Sequence, residues 1–254
     1  MLDATDTRSL ALLYHLNSEP WINPDARADE AYRVEIKEMA ASGERLRLPA
    51  SLPGSALGEL IARRSSCRTW AARTLALADL AAILAGGYGL GGTISFPSGL
   101  EMRTRSVPSA GGLYPLELYA SLHSVSEVPD GLYHYNVLDH ALERLRAPLD
   151  PHVLAEAVIP APFLVNANVL VFIGAVFDRT LSKYGARGYR YILLEAGHAA
   201  QNLCLVAAER GLASLCVGGF MDAQLNRLLE LDPRLEATVY CVGLGHAAEE
   251  RASG

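Results

Sequence analysis

Lys183-Tyr184-Gly185-Ala186-Arg187-Gly188-Tyr189-Arg190-Tyr191, running into Leu193-Leu194-Glu195-Ala196-Gly197-His198 and Gln201-Asn202, decides how the rest of this chain is read. It sets a lysine, two arginines and three tyrosines around two glycines and then turns apolar. From about Tyr189 to Arg210 the small residues Ala196, Gly197, Ala199, Ala200, Ala207 and Ala208 recur, and Gly211 closes the stretch. That length and composition predict a long buried helix, suited to packing against a second subunit. A plain core helix needs neither lysine nor tyrosine at its mouth. A lysine touching a tyrosine at a glycine-flanked turn can do proton chemistry, whereas the bland reading leaves Lys183 solvated and Tyr184 packed.

Around this segment helix and strand patterns mix. Val169 to Val176 is a continuous apolar strand, and Leu116, Leu118, Ala120 and Leu122 alternate with Glu117, Tyr119 and Ser121 as in a half-buried strand. Leu132 to Tyr135 and Leu142 to Leu145, joined through Leu138-Asp139-His140, read as a hairpin; Leu215-Cys216-Val217 and Thr238 to Leu244 are further short strands. Helical spacing covers Leu57 to Arg64 and Leu77 to Leu84, the latter predicted to end at Gly86-Gly87. Further helical stretches fall near Ser9–Leu16 and Asp29–Ser42, and Leu48-Pro49-Ala50-Ser51-Leu52-Pro53-Gly54 reads as a linker. Regular βαβ alternation is missing, so the class is α+β, with an arm and linker over 1–56 and one domain over 57–254.

The net charge of -6 argues against a general nucleic-acid binder, although local basic spots can still take a single phosphate. The acidic start Met1-Leu2-Asp3-Ala4-Thr5-Asp6 is not a secretory signal. The most apolar run, Phe163 to Phe177, falls short of the about 20 residues that span a bilayer, so neither membrane nor export is expected. Cys67, Cys204, Cys216 and Cys241 are far apart in sequence and predict neither a zinc site nor a disulfide framework, which fits a cytoplasmic protein. The seven histidines show no i, i+4 pairing, and no metal is expected.

Four further segments carry polar or glycine-rich signals. Gly87-Tyr88-Gly89-Leu90-Gly91-Gly92 matches G-x-G-x-x-G but follows a helix, where a dinucleotide fingerprint follows a strand, and a mobile loop is the better reading. Arg63-Arg64-Ser65-Ser66-Cys67-Arg68 places arginines and hydroxyls where they can surround a phosphate, though by itself it reads as a solvated basic turn. Pro108-Ser109-Ala110-Gly111-Gly112-Leu113-Tyr114-Pro115 is small-residued and runs into a strand, so its backbone can approach a flat ligand closely. Gly218-Gly219-Phe220, after an apolar strand, is a second such place.

In this order, Arg64-x-Ser66-x-Arg68, Pro108 to Pro115, Lys183-Tyr184-Gly185 with the Glu195-Ala196-Gly197-His198 helix, and Gly218-Gly219-Phe220, the chain from about Leu57 to His246 resembles the nitroreductase-like flavoproteins, specifically their SagB/McbC-type azoline dehydrogenases. The resemblance implies a central, mostly antiparallel sheet flanked by helices, a homodimer with a buried long helix, and non-covalent FMN at the dimer interface. It places Arg64, Ser65, Ser66 and Arg68 on the phosphate and ribityl chain, Pro108, Ser109, Ala110, Gly111, Gly112 and Leu113 beside the isoalloxazine ring, and Gly218 and Gly219 near the flavin N5. A basic residue near the C-terminus also belongs on the phosphate in this family, and Arg251 is the only arginine left after His246.

The implied reaction oxidises a thiazoline or oxazoline of a peptide to the azole, with a cyclodehydratase or a carrier protein as partner. Lys183 and Tyr184 are then the catalytic pair. A tyrosine hydroxyl is a poor base at neutral pH unless a neighbouring cation favours the phenolate, which a lysine offers. Adjacent helical residues do not face each other, so the pair is expected in non-helical backbone or at different parts of the site. Two rival functions are an NAD(P)H-dependent nitro- or quinone reductase on the same fold, and a flavin-free partner protein of a peptide-modifying complex.

Overall fold

The apolar run predicted as a strand becomes β6 (Val169–Val176), an inner strand of a six-stranded sheet in the computed structural model, which describes residues 7–19, 48–49, 54–159 and 163–248. The sheet order is β5-β4-β3-β6-β8-β7, and every neighbouring pair is antiparallel. Its other strands are β3 (Leu116–Leu122), β4 (Gly131–Asn136), β5 (Ala141–Arg146), β7 (Ala213–Val217) and β8 (Glu236–Gly245). A separate hairpin joins β1 (Leu90–Ser95) to β2 (Glu101–Arg105).

Alternation explains why β6 reads as continuous apolar sequence. Val169, Val171, Ile173 and Ala175 belong to one core cluster, and Leu170 and Phe172 to another on the opposite face. The first cluster lies under α3 (Leu77–Tyr88), α5 (Phe177–Tyr184) and α6 (Arg187–Glu209); the second under α4 (Pro151–Ala157) and α7 (Asp222–Leu229). Because both faces are covered, β3 is more buried than its alternation predicts: Tyr119 packs into the second cluster while Glu117 and Ser121 are part-buried. The α+β expectation holds, as do the β4–β5 hairpin and the strands at 215–217 and 238–244.

Of the early helices, α1 (Thr7–Leu16) and α2 (Ala56–Arg63) are present, and Ser55 starts the latter by accepting the Gly58 N–H at 3.1 Å. The predicted helix at 29–42, most of the linker at 48–54, and Arg251 lie outside the described residues. Among the described residues no helix is long and apolar enough to cross a membrane.

One helix end is corrected. Gly86-Gly87 does not stop α3, which continues to Tyr88. The glycines let α3 lie against α6: a Cβ on Gly87 would press into the Leu203 side chain, 2.6 Å from its Cγ, and one on Gly86 would sit 2.6 Å from Val206 Cγ2. The predicted mobile loop is corrected with it, since Gly89 caps α3 and Leu90–Ser95 forms β1. Gly87→Ala is therefore expected to destabilise the chain by about 1–2 kcal/mol, because overpacking (roughly 1–3 kcal/mol) outweighs a propensity gain of up to about 1 kcal/mol. Thermal unfolding checks this: the midpoint should fall by several degrees, and a raised midpoint would mean that Leu203 swings aside at no cost.

Candidate functional site

Helix α5 follows β6 directly and ends where Gly185 takes φ +54°, its N–H returning to Leu181 O at 2.9 Å. Lys183 and Tyr184 are its last two residues. The expectation of non-helical backbone is thus corrected: the pair is helical, yet it converges. A Cβ built on Gly111 would stand 2.7 Å from the Tyr184 hydroxyl and 2.8 Å from Lys183 Nζ. Both side chains are long enough to bend from adjacent helical directions toward one point, and the helix end leaves that point open. Lys183 Nζ lies 5.4 Å from the centre of the Tyr184 ring, which packs edge-on against Tyr191 at 5.2 Å. Lysine, tyrosine and the glycine loop therefore form one cluster.

The loop is shaped for that contact. Ala110–Gly112 makes a single tight turn in which Gly111 and Gly112 both have φ +65°, a conformation glycine adopts without the cost borne by other residues. The Ser109 hydroxyl accepts the Tyr114 N–H at 2.9 Å. Beneath it, Glu195 of α6 is only 3% exposed and accepts hydrogen bonds from the Tyr88 hydroxyl, at 2.7 Å, and from Ser109. Burial raises the Glu195 carboxyl above its ordinary range, and these two donors together with Arg105 offset part of that rise. Burial and the Glu195 carboxylate push the Tyr88 hydroxyl far up, so it stays a donor, while its oxygen accepts Leu116 N–H at 3.2 Å. The Arg105 guanidinium sits over the Tyr88 ring at 4.4 Å. Sequence reading assigned no role to Tyr88, Arg105 or Glu195; a charged residue inside a small-residue helix was the available signal for Glu195.

On the outer side of Leu113-Tyr114 opens a cleft of about 430 Å³ lined by Arg105, Glu117, His134 and Arg179 among others. Arg179 binds Glu117 at 2.6 Å and donates to Tyr114 O at 3.2 Å, tethering the loop's far end to α5.

The arginine segment builds a second cavity, of about 630 Å³, at the other end of α6. Arg63, Arg64, Ser65, Ser66 and Arg68 line it together with Ala208, Glu209 and Ser214. The segment leaves α2 as an extended strap along β7: Ser66 bridges to Ser214, and Cys67 N–H reaches Ser214 O at 2.9 Å. Among the described residues no ion pair joins Arg64 or Arg68 to a carboxylate. Cationic forks with adjacent hydroxyls suit a phosphate.

Gly218-Gly219 follows β7, four residues beyond Ser214, or roughly 13 Å along a strand. Gly218 has ordinary space, its Cβ position 3.7 Å from the Tyr240 ring. Gly219 is required by a neighbouring backbone: a Cβ there would meet Ile159 O at 2.8 Å, and its own carbonyl accepts the Ile159 N–H at 2.8 Å. Within one chain the arginine cavity and the Gly111 cluster are kept apart. Glu195 under the loop and Ala208 at the cavity are thirteen residues apart on α6, roughly 20 Å.

With this geometry in place, the profile of the Nitroreductase family matches residues 61–246. The chain belongs to the nitroreductase family. That family supports an oxidoreductase, and the antiparallel sheet flanked by helices is its fold. This nitroreductase-family chain is 34% identical over 175 residues to "Putative nitroreductase MJ1384" of Methanocaldococcus jannaschii, covering 69% of this chain and 84% of that protein. It is 29% identical over 153 residues to the microcin B17-processing protein McbC of Escherichia coli, covering 58% of this chain and 56% of McbC, so it spans little more than half of that relative. It shares its fold with a chain of the E. coli microcin synthetase McbBCD complex with truncated pro-MccB17 bound, at TM-score 0.70 and 22% identity, over 93% of this chain and 87% of that one.

Proposed function

We propose that this nitroreductase-family chain is an FMN-dependent dehydrogenase that oxidises thiazolines or oxazolines in a peptide to the corresponding azoles. The observation that carries the reading is the meeting of Lys183 and Tyr184 at Gly111. The likeness to McbC, a microcin-processing protein by name, supports a peptide substrate, and a cytoplasmic complex with a cyclodehydratase or a carrier protein extends that likeness.

The donors present fit FMN. Arg64, Ser65, Ser66 and Arg68 would hold its phosphate and ribityl chain, in a cavity whose arginines lack carboxylate partners among the described residues. The tight turn at Pro108–Leu113 would lie beside the ring system, where any Cβ on Gly111 would fill the space. Gly218 and Gly219 would offer backbone N–H groups to the flavin edge. Because roughly 20 Å of α6 separates cavity from cluster, one copy's arginines would serve the other copy's loop. The exposed stripe of α6, with Leu193 (40% exposed) and Leu194 (56%) beside Gly197, supports a homodimer built across that helix.

Bound FMN supplies the two-electron acceptor for the hydride leaving the ring. The chain's own work is positional and protonic. The acidic proton of an azoline sits on the carbon beside the carbonyl, and the Tyr184 hydroxyl and Lys183 amine converge where that carbon would be presented. Lys183 and Tyr184 hold the proton-transfer groups at one point, with Lys183 Nζ 5.4 Å from the centre of the Tyr184 ring. Glu195 and Tyr88 fix the loop from below, so the site depends on little reorganisation.

A second reading, an NAD(P)H-dependent nitro- or quinone reductase, is favoured by the 34% identity to MJ1384. One experiment separates them. The purified yellow protein is mixed without oxygen with an azoline peptide or with NADPH. Bleaching by the peptide, with a product two hydrogens lighter, is expected; bleaching by NADPH alone would favour the reductase. A colourless chain that takes up no FMN would favour a flavin-free partner of a peptide-modifying complex.

A further inference from the structure

Two of the four cysteines, distant in sequence, meet where α6 crosses the edge strand β7. Cys204 Sγ and Cys216 Sγ are 3.4 Å apart, and both are free thiols, Cys204 buried and Cys216 half-buried. Twelve positions apart in sequence, the two sulfurs are brought into contact only by the fold. A disulfide needs the two sulfurs to approach from this contact to about 2 Å. The surroundings divide the pair's acidity. The hydrogen bond from Cys216 lowers the Cys204 thiol against the effect of burial, helped by Ser214 and by the charge of Arg64. The Cys216 thiol is held up by its bond to Cys204 and by burial. A thiolate beside a thiol gives an attacking and a resolving sulfur.

Ser214 links this pair to the arginine strap. Its side chain is hydrogen-bonded to Cys204, and its carbonyl accepts the Cys67 N–H at 2.9 Å within the bridge to Ser66. Drawing Cys204 toward Cys216 removes the partner of that side chain at the point where β7 holds the strap.

We propose that Cys204 and Cys216 form a peroxide-oxidised dithiol whose disulfide slackens the hold of the Arg64–Arg68 strap on its phosphate. The Cys204 thiolate attacks one oxygen of hydrogen peroxide; the O–O bond breaks, an S–O bond forms, and hydroxide leaves to become water with a proton. The Cys216 sulfur then displaces the sulfenic oxygen, which departs as a second water with the thiol proton. Two thiols lose two electrons, and one peroxide becomes two waters. The dithiol stands on the sulfur geometry; the slackened grip rests on the FMN reading above.

The test titrates the full-length flavin-bound protein with hydrogen peroxide, alkylates the remaining thiols after denaturation, and maps the bridges by mass spectrometry. Loss of the Cys204 and Cys216 thiols together, a Cys204–Cys216 bridge, and reversal by dithiothreitol are expected. FMN affinity, read from the flavin fluorescence recovered on dissociation, should be about tenfold lower for the oxidised chain, the size of one lost hydrogen bond. Cys216→Ser should stop at a sulfenic acid on Cys204, trapped by dimedone, with no bridge and no peroxide effect on FMN. Cys204→Ser gives the same two losses if it folds. Both thiols remaining alkylatable, or a bridge elsewhere, overturns the dithiol; a correct bridge with unchanged FMN affinity overturns the slackened grip. A reduced chain that binds no FMN sinks the cofactor reading and the grip with it, while the thiol count still decides the dithiol.

Discussion

Lys183→Ala and Tyr184→Phe, each purified with flavin bound, are expected to lose azoline oxidation by about 10²–10⁴-fold in kcat, the range of a positioned acid–base group. The structural cost of both changes is small, which makes the activity loss interpretable. Lys183 lies in the last turn of α5, where a cation helps the helix end by only about 0.3–1 kcal/mol. Tyr184→Phe removes one hydroxyl and keeps the ring that packs edge-on against Tyr191 at 5.2 Å. Retained flavin absorbance shows an intact site, and single-turnover assays then read the chemical step. Wild-type turnover in both variants would remove the pair from the mechanism.

Gly111→Ala is expected to lower kcat by about 10²-fold through displacement alone, since misplacing reacting groups by about an ångström costs that much. The added methyl would stand 2.7 Å from the Tyr184 hydroxyl and 2.8 Å from Lys183 Nζ, and both are the free ends of flexible side chains. They would therefore swing away, and the fold would bear chiefly the cost of alanine at φ +65°, about 1–2 kcal/mol. Gly112→Ala supplies the control. It has the same φ of +65°, but its methyl meets the Met102 side chain rather than the pair. Similar melting points with a much larger kcat loss for Gly111→Ala would mark displacement of the pair. Equal kcat losses in the two would assign the effect to backbone strain.

Much of the architecture was legible because it is written in local periodicity. Val169–Val176 read as a continuous apolar strand, and the length and small residues after Tyr189 read as a long buried helix; both are present. The Gly111-Gly112 pair was legible only as a place for close backbone approach; the structure adds that both glycines take φ +65°. Glycine was also the source of one error. Gly86-Gly87 reads locally as a helix end, but its missing side chains make room for Leu203 and Val206 more than a hundred positions away, and α3 runs on. A close approach between distant elements has no period in the sequence.

The chain's own residues determined the elements, the α+β class, and which segments carry polar groups near glycine. Only the tertiary structure decided how those groups combine. Lys183 and Tyr184, pointing apart on an ideal helix, meet at Gly111 because α5 ends there and the loop comes in from 72 positions upstream. Glu195 is a loop anchor only because Tyr88 and Ser109 fold over it, and Cys204 finds Cys216 only where helix crosses strand. Local sequence sets backbone preference through sterics and hydrophobic period. The meeting of side chains across the fold depends on where packing brings distant backbones together.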